Sequence, residues 1–182
     1  MIPAGYMYKK VAQRPTWLDG SAQVIDIHSV SCCCSKQFTD YINHWKHNGY
    51  WFFDSPDPMP EIARAESLDF EPMTLFYYEF FETQFKDAGD AGSRFEPSRG
   101  AVSVVAPPTR RLGGLDVVTF YAGNDPECSP LSCNGLAKET KVNQHCLFDA
   151  FNEAMTAFRG GLFEHSEAGP FRIMAVYTCD SV

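Results

Sequence analysis

The chain has 182 residues, and its 45% hydrophobic and 21% charged residues are typical of a folded protein and exclude global disorder. The formal charge of −8 disfavours nucleic acid or an anionic membrane surface as the main partner. A chain of this length fits a single domain.

The sequence shows neither a signal-peptide pattern at its start nor an apolar run of about 18 residues. We therefore expect a cytoplasmic location, in which the seven cysteines are mostly reduced thiols. Because seven is odd, complete pairing within the chain is excluded.

Apolar periodicity predicts the secondary structure. Alternating apolar residues indicate strands, apolar residues three and four apart indicate helices, and Gly, Pro, Asn and Asp mark the ends. In chain order this gives an irregular N-terminal arm over residues 1–22, a strand over 24–30, a helix from Ser35 to Asn48, a strand over 50–53, a short helix over 60–68, a strand over 74–82, a loop over 86–100, strands over 101–105 and 115–121, a helix over 145–159 and a strand over 171–177.

This order is mixed rather than a regular alternation of strands and helices. It favours an α+β fold, in which two main helices pack on a mixed, largely antiparallel sheet within one domain. The two main helices are those over residues 35–48 and 145–159. The pattern specifies neither the strand order nor the oligomeric state.

The stretch from Asn124 to Cys146 holds the densest set of ionisable soft side chains. One hypothesis is a thiol-dependent enzyme with Cys133 as nucleophile, His145 as its base and Cys128 as a resolving thiol. The alternative is an ordered turn whose thiols pack as small hydrophobic groups. The Cys32-Cys33-Cys34 run is interpreted as a connection with one or two buried thiols.

The same stretch also contains the donor atoms of a zinc site. Cys128, Cys133, His145 and Cys146 supply four ligands, although a Cys-x4-Cys pair followed by an adjacent His-Cys differs from common zinc modules. A zinc-stabilised domain is therefore a further hypothesis. The sequence lacks the motifs for nucleotide hydrolysis, dinucleotide binding, serine hydrolysis and zincin proteolysis. It therefore disfavours these activities.

The leading hypothesis is a protein that binds a protein partner or a small ligand without catalysis of its own. Aromatic and polar residues concentrate in the Asn124–Gly135 loop and the Trp45–Asp54 segment, a combination typical of recognition surfaces. The candidate binding residues are Trp51, Asp54, Asn124, Glu127 and Asn134. No cofactor follows from these residues.

Two segments carry a resemblance to known sequences. Trp45-Lys46-His47-Asn48-Gly49-Tyr50-Trp51-Phe52-Phe53-Asp54-Ser55-Pro56 and Pro126-Glu127-Cys128-Ser129-Pro130-Leu131-Ser132-Cys133-Asn134-Gly135 resemble parts of an uncharacterised family of bacterial hypothetical proteins. The resemblance implies one domain over most of the chain and a bacterial cytoplasmic origin. It implies no activity and no functional residue.

Overall fold

The computed structural model describes residues 1–31, 33–41, 50–69, 72–87, 89–95, 104–121 and 125–180. Its elements in chain order are β1 (Ile2–Lys10), β2 (Ala12–Gln13), β3 (Asp26–Ile27), β4 (Lys36–Gln37), α1 (Pro58–Ala65), β5 (Thr74–Phe85), β6 (Ser93–Arg94), β7 (Arg111–Tyr121), β8 (Asp125–Cys128), α2 (Pro130–Cys133), α3 (Phe151–Arg159) and β9 (Phe171–Thr178), with 3₁₀ turns at Thr16–Leu18, Phe38–Tyr41 and Leu136–Lys138. The predicted mixture of helices with an antiparallel sheet is confirmed. None of the helices in these ranges has the length and apolar character needed to cross a membrane.

The main sheet has the strand order β4-β1-β5-β9-β7-β8, and the short strand β6 pairs with β5 beside this path. Every pairing between neighbouring strands is antiparallel. Strands β2 and β3 form a separate two-stranded sheet. The long strands β5 and β9 therefore lie at the centre of the main sheet, between β1 and β7.

Both faces of the main sheet are buried. Along β9, Ile173 and Ala175 belong to one apolar cluster, whereas Met174 and Val176 belong to the other. Because successive strand residues point to opposite faces, the two clusters lie on opposite sides of the sheet. Helix α1 contributes Met59 and Ala63 to the cluster with Met174, and α3 contributes Ala154, Met155 and Phe158 to the cluster with Ile173.

The irregular arm predicted over residues 1–22 is wrong in its first half, because Ile2–Lys10 form strand β1. It pairs with β5 from Ile2 opposite Phe80 to Lys9 opposite Thr74. The pairing shifts register between Pro3 and Gly5, where Gly5 has a φ of 135°. Pro and Gly within a strand often mark such a bulge, so the residues that suggested irregular chain instead mark a local kink in a paired strand.

The predicted helix over residues 145–159 begins too early, because α3 starts only at Phe151. Cys146 has a φ of 62°, a left-handed conformation that a helix cannot contain. The side-chain oxygen of Asn143 accepts hydrogen bonds from the backbone N–H groups of His145 and Leu147. These local bonds replace the first helical turn, as Asn side chains commonly do outside helices.

Other predicted elements agree with the structure to different degrees. The strands predicted over 74–82, 115–121 and 171–177 and the helix over 60–68 correspond to β5, β7, β9 and α1.

The strand predicted over 24–30 is reduced to β3, and only Phe53 of the predicted strand over 50–53 forms a bridge, to Tyr6. Of the predicted helix from Ser35, residues 36–41 form β4 and a 3₁₀ turn, and residues 42–49 lie outside the described ranges. Residues 101–103 also lie outside them, and 104–105 are not in a strand.

Candidate metal-binding and ligand-binding sites

Four cysteines meet where two distant loops come together. The sulfurs of Cys33, Cys128 and Cys133 lie within 4.8 Å of one another. The thiol of Cys34 interacts with that of Cys133 but lies outside this set of three. All four are free thiols. We call these four residues the thiol cluster.

Helix α2 places two of these cysteines close together. Pro130 occupies its first turn, where the missing N–H of proline leaves no bond unmade. The carbonyl of Ser129 accepts hydrogen bonds from the backbone N–H groups of Ser132 and Cys133, at 3.0 and 2.9 Å. This tight turn folds Cys133 back towards Cys128 at the end of β8.

A buried carboxylate on β7 holds the two loops against each other. Asp116 is fully buried, and its Oδ2 accepts hydrogen bonds from the N–H of Val30 at 2.8 Å and from the hydroxyl of Ser129 at 2.6 Å. Ser31 and Ser129 also exchange hydrogen bonds, since the backbone N–H of each donates to the hydroxyl oxygen of the other at 3.1 Å. The loop before Cys33 is therefore locked to the chain that follows Cys128.

A buried lysine on β1 fixes the same loop from its other side. The ammonium of Lys9, which is 1% exposed, donates hydrogen bonds to the carbonyl oxygens of Ser29, Val30 and Ser31. A buried charge is stable only when such hydrogen bonds compensate its lost hydration. The interaction fixes three consecutive carbonyls and thus the path of the chain into the thiol cluster.

Contacts within the thiol cluster favour ionisation of one sulfur. The neighbouring Cys128, Cys33 and Cys34 lower the pKa of Cys133, although burial acts in the opposite direction. The contact with Cys133 raises the pKa of Cys128 and of Cys34. Cys133 is therefore the cysteine of the cluster whose thiolate is most favoured.

Three sulfurs of the thiol cluster, those of Cys33, Cys128 and Cys133, are close enough to share one metal ion. Zinc binds thiolates at about 2.3 Å, so the sulfurs of a tetrahedral site are about 3.8 Å apart. The separations below 4.8 Å between Cys33, Cys128 and Cys133 need only a small contraction to reach this value. Soft thiolate ligands in a tetrahedral set select zinc or iron rather than magnesium or calcium.

A second polar site, the histidine cleft, is formed by Asp26, His28 and His145. Nδ1 of His145 lies 2.6 Å from Oδ1 of Asp26, and Nε2 of His28 lies 3.4 Å from the same oxygen. The two imidazole rings are stacked, with centroids 4.0 Å apart and an angle of 17° between their planes. One carboxylate thus orients two parallel histidines.

Backbone pairing between two segments positions the histidine cleft. The carbonyl of Gln144 accepts hydrogen bonds from the N–H groups of Ile25 and Asp26, and the carbonyl of His145 accepts one from His28. These bonds align the segment around β3 with the non-helical chain before α3. The late start of α3, at Phe151, therefore leaves His145 in the non-helical segment that pairs beside Asp26.

The geometry of the histidine cleft does not suit a metal ion, although Asp26, His28 and His145 carry suitable ligand atoms. Imidazole binds metals in its ring plane, and two stacked rings 4.0 Å apart cannot both direct a lone pair at one ion between them. The 2.6 Å contact between His145 and Asp26 is that of a charge-assisted hydrogen bond. We therefore describe the site as a hydrogen-bonded group of side chains.

Two adjoining cavities of about 520 and 570 Å³ open onto the histidine cleft. Both are lined by His28, His145, Arg111 and Thr178. Arg111 begins β7 and pairs directly with Thr178 at the end of β9. The central sheet thus ends at this cleft, and its strand ends contribute a cation and a hydroxyl beside the two imidazoles.

The predicted catalytic pair of Cys133 and His145 is not brought together. Cys133 lies in the thiol cluster, whereas His145 is bound to Asp26 in the histidine cleft. Within the described residues, no hydrogen bond links Cys133 to His145. A thiol reaction at Cys133 would therefore depend on neighbouring thiols for its activation.

The predicted zinc ligands divide in the same way. Cys128 and Cys133 do lie together, but their neighbours are Cys33 and Cys34 rather than His145 and Cys146. Cys146 is fully buried in the apolar cluster that contains α3, where burial raises the pKa of its thiol to about 12. It packs as a small hydrophobic residue.

Two of the predicted binding residues contact the thiol cluster. The backbone carbonyl of Glu127 accepts a hydrogen bond from the thiol of Cys33 at 3.5 Å. The side-chain oxygen of Asn134 accepts one from the thiol of Cys128 at 3.4 Å. Both residues therefore support the cluster.

Among the described residues, the predicted binding residues Trp51 and Asp54 lie in neither the thiol cluster nor the histidine cleft. Trp51 is half-buried with a φ of 64°, and Asp54 lines a mainly apolar cavity of about 540 Å³ beside Pro107. Asn124 and residues 42–49 lie outside the described ranges. A recognition surface made of the two predicted segments remains a prediction.

Sequence reasoning missed Cys33, Cys34, Asp26 and His28 as members of these sites. Three consecutive cysteines are unusual in a reduced protein, and this run was the available signal for the thiol cluster. The alternation over residues 24–30 places Asp26 and His28 on one face of a strand. Nothing in the sequence relates them to His145, which lies 119 positions after Asp26.

Comparison of the chain with protein-family models, with curated proteins and with solved structures gives no match. The functional proposals below therefore depend on the geometry of the thiol cluster.

Proposed function

We propose that this protein binds one Zn²⁺ through Cys33, Cys34, Cys128 and Cys133. The convergence of the sulfurs of Cys33, Cys128 and Cys133 within 4.8 Å, together with the contact from Cys34, carries this proposal. Thiolates attract and stabilise a soft cation, and four of them complete a tetrahedral shell. A closed shell of protein ligands leaves no position for substrate, so the zinc has a structural role.

The metal ties together parts of the chain that are far apart in sequence. Ser31 and Ser129, which flank the cluster, are 98 residues apart. A crosslink of this span restricts the unfolded chain strongly, and zinc contributes its binding energy to folding. The proposal thus includes a single domain whose stability depends on the metal.

Hydroxyl groups around the sulfurs support a bound metal. The hydroxyl of Ser31 lies 3.5 Å from the sulfur of Cys133, and that of Ser132 lies 3.9 Å from it. Hydrogen bonds from such groups orient metal-bound thiolates and reduce their charge.

The test measures metal content and mass in protein purified from cells supplied with zinc. We expect one zinc per chain and a native mass about 65 Da above the denatured mass. Cys33→Ser and Cys128→Ser should each lose most of the metal, whereas Cys179→Ser, a partly buried cysteine outside the cluster, should retain it. Wild-type protein that is free of metal and takes up neither Zn²⁺ nor Co²⁺ after reduction would overturn the proposal. Finding iron in place of zinc would support the same four ligands and change only the identity of the bound ion.

Thiol–disulfide exchange is a second candidate, favoured by the contact of three thiols with Cys133. The Cys133 thiolate would attack a disulfide of a partner protein and form a mixed disulfide. A second cluster thiol, Cys33 or Cys128, would then displace the partner as a dithiol and leave a disulfide in the cluster. This function predicts metal-free protein whose Cys133 alkylates much faster than Cys179, whether or not a chelator is present.

A further inference from the structure

One member of the thiol cluster is open to solvent. Cys33 is exposed. Cys34 and Cys133 are half-buried, and Cys128 is buried. The sulfur of Cys33 also lies within 4.8 Å of the sulfurs of Cys128 and Cys133. An exposed thiol with two close thiol neighbours is the arrangement in which oxidation ends in a disulfide.

The two loops that carry these cysteines are held together by groups other than the sulfurs. Ser31 and Ser129 exchange hydrogen bonds at 3.1 Å, and the carboxylate of Asp116 accepts one hydrogen bond from each loop. The approach of the loops therefore does not depend on the chemical state of the thiols. A disulfide bond is about 2.05 Å long, so a sulfur of the facing loop must move by less than about 3 Å to reach Cys33.

Geometry decides which thiol can pair with Cys33. Adjacent residues have Cα atoms about 3.8 Å apart, whereas disulfides usually join Cα atoms that are roughly 4.4–6.8 Å apart. A disulfide between Cys33 and Cys34 is therefore disfavoured. The remaining neighbours of Cys33 are Cys128 and Cys133, which both lie on the facing loop. A disulfide with either of them joins the two loops covalently.

We propose that the thiol cluster is a redox switch for metal loading, in which a peroxide oxidises Cys33 and a disulfide then forms between Cys33 and Cys128 or Cys133. The disulfide takes two of the four proposed zinc ligands, and two thiols do not complete a tetrahedral shell. Disulfide and zinc therefore exclude each other. This exclusion rests on the proposed zinc function, whereas the formation of the disulfide does not.

The oxidation takes place in two steps. The sulfur of Cys33 attacks one oxygen of the peroxide, so that an S–O bond forms and the O–O bond breaks. With hydrogen peroxide the products are a sulfenic acid and one water. A thiol of the facing loop then attacks the sulfur of Cys33, the S–O bond breaks, and the hydroxyl leaves as a second water with the proton of that thiol. The two thiols are oxidised to a disulfide, and the peroxide is reduced to water.

The reaction differs from exchange with a partner protein, because its oxidant is a peroxide and both sulfurs of the disulfide belong to this chain. Sulfurs that hold zinc are about 3.8 Å apart around the ion and cannot close to a disulfide. Oxidation is therefore expected in the metal-free protein. A reductant that cleaves the disulfide restores all four ligands and thus the capacity to take up zinc.

The first test treats reduced, metal-free protein with stoichiometric hydrogen peroxide. After denaturation, the number of cysteines labelled by N-ethylmaleimide should fall from seven to five and return to seven when a reductant is added first. A digest with trypsin under non-reducing conditions should contain the peptide that ends at Lys36 joined to the peptide that ends at Lys138. Unchanged labelling, a loss that a reductant does not reverse, or a disulfide within one peptide would overturn the proposal.

The second test measures zinc uptake by the same oxidised protein. We expect it to bind less than about a tenth of the Zn²⁺ that the reduced protein binds, since too few ligands remain. Treatment with a reductant should restore the uptake. Equal uptake by oxidised and reduced protein would contradict the mutual exclusion of disulfide and zinc.

Three variants separate the disulfide from the metal site. Cys33→Ser should lose most of the metal and all disulfide formation. Cys34→Ser, the adjacent ligand, should also lose most of the metal but still form the disulfide. Cys179→Ser, which changes a partly buried cysteine outside the cluster, should retain both. A disulfide between the same two peptides in folded Cys33→Ser protein would remove Cys33 from the switch.

The two measurements distinguish failure of this inference from failure of the proposed function. Reduced protein that takes up no zinc but forms the reversible disulfide would overturn the zinc site and the exclusion that rests on it, and would support the disulfide. Reduced protein that takes up zinc but forms no disulfide with peroxide would overturn this inference alone.

Discussion

The hydroxyl of Ser129 donates a 2.6 Å hydrogen bond to the fully buried carboxylate of Asp116. The other oxygen of this carboxylate, Oδ1, has no partner among the described residues. Burial raises the pKa of Asp116 from 3.8 to about 7, although Ser129 and the N–H of Val30 act against this shift. The carboxylate that joins the two loops of the thiol cluster is therefore energetically unfavourable in its charged form.

We expect Asp116→Asn to stabilise the protein increasingly as the pH rises. Because the folded-state pKa is raised, the charged carboxylate lowers stability above pH 3.8, and this penalty grows until about pH 7. Asparagine keeps the oxygen that accepts from Ser129 and carries no charge. Its stability advantage over wild type should increase by roughly 2–3 kcal/mol between pH 5 and pH 8 in urea unfolding. A constant difference across this range would contradict the raised pKa.

The buried ammonium of Lys9 leads to a second prediction. Lys9→Met keeps the apolar stem but leaves the carbonyls of Ser29, Val30 and Ser31 without this donor. We expect a loss of about 2–4 kcal/mol in unfolding free energy and weaker metal retention, because the loop before Cys33 loses its anchor. Lys10→Met, at the exposed neighbouring position, is the matched control and should change stability by less than about 0.5 kcal/mol.

The parts of the fold that could be predicted are those whose structure follows from a local sequence pattern. The strands β5, β7 and β9 are long and rich in aromatic and β-branched residues, so local pattern was sufficient to find them. Strand β1 was missed because Pro3 and Gly5 mark a bulge whose pairing with β5 comes from residues more than 70 positions away. The start of α3 was misplaced because side-chain bonds from Asn143 outweigh apolar spacing.

In the candidate sites too, contacts between residues near in sequence could be predicted, whereas contacts between distant residues could not. Cys128 and Cys133 are near in sequence, and their proximity was predictable from a turn containing Pro130. Their contact with Cys33 depends on Asp116 and Lys9, which sit on two different strands of the sheet. No spacing rule encodes such a contact, so only Cys128 and Cys133 of the ligand set predicted from the sequence lie in the thiol cluster.

Zinc binding should be visible in the reactivity of Cys33. This thiol is exposed, yet as a zinc ligand it should alkylate slowly with iodoacetamide because a bound thiolate is a poor nucleophile. After removal of zinc by a chelator, under conditions in which the metal-free protein stays folded, Cys33 should become reactive, while the rate at Cys179 should not change. Mass spectrometry of peptides labelled with and without chelator measures this difference. Rapid labelling of Cys33 in protein shown to contain zinc would remove it from the ligand set.

Adjacent glycines of β7 give the final prediction. A Cβ at Gly114 would lie 2.7 Å from Cβ of Leu147 and 2.8 Å from the carbonyl oxygen of Phe148, and the residue has a φ of 146°. Gly114→Ala therefore combines backbone strain with a clash against the segment that follows His145, and we expect a loss of about 3 kcal/mol or more. At Gly113 the nearest contact is 3.4 Å, so Gly113→Ala should fold with nearly wild-type stability. Comparing both variants by thermal and urea unfolding separates the two positions, and similar losses in both would contradict this account of the close approach between β7 and Phe148.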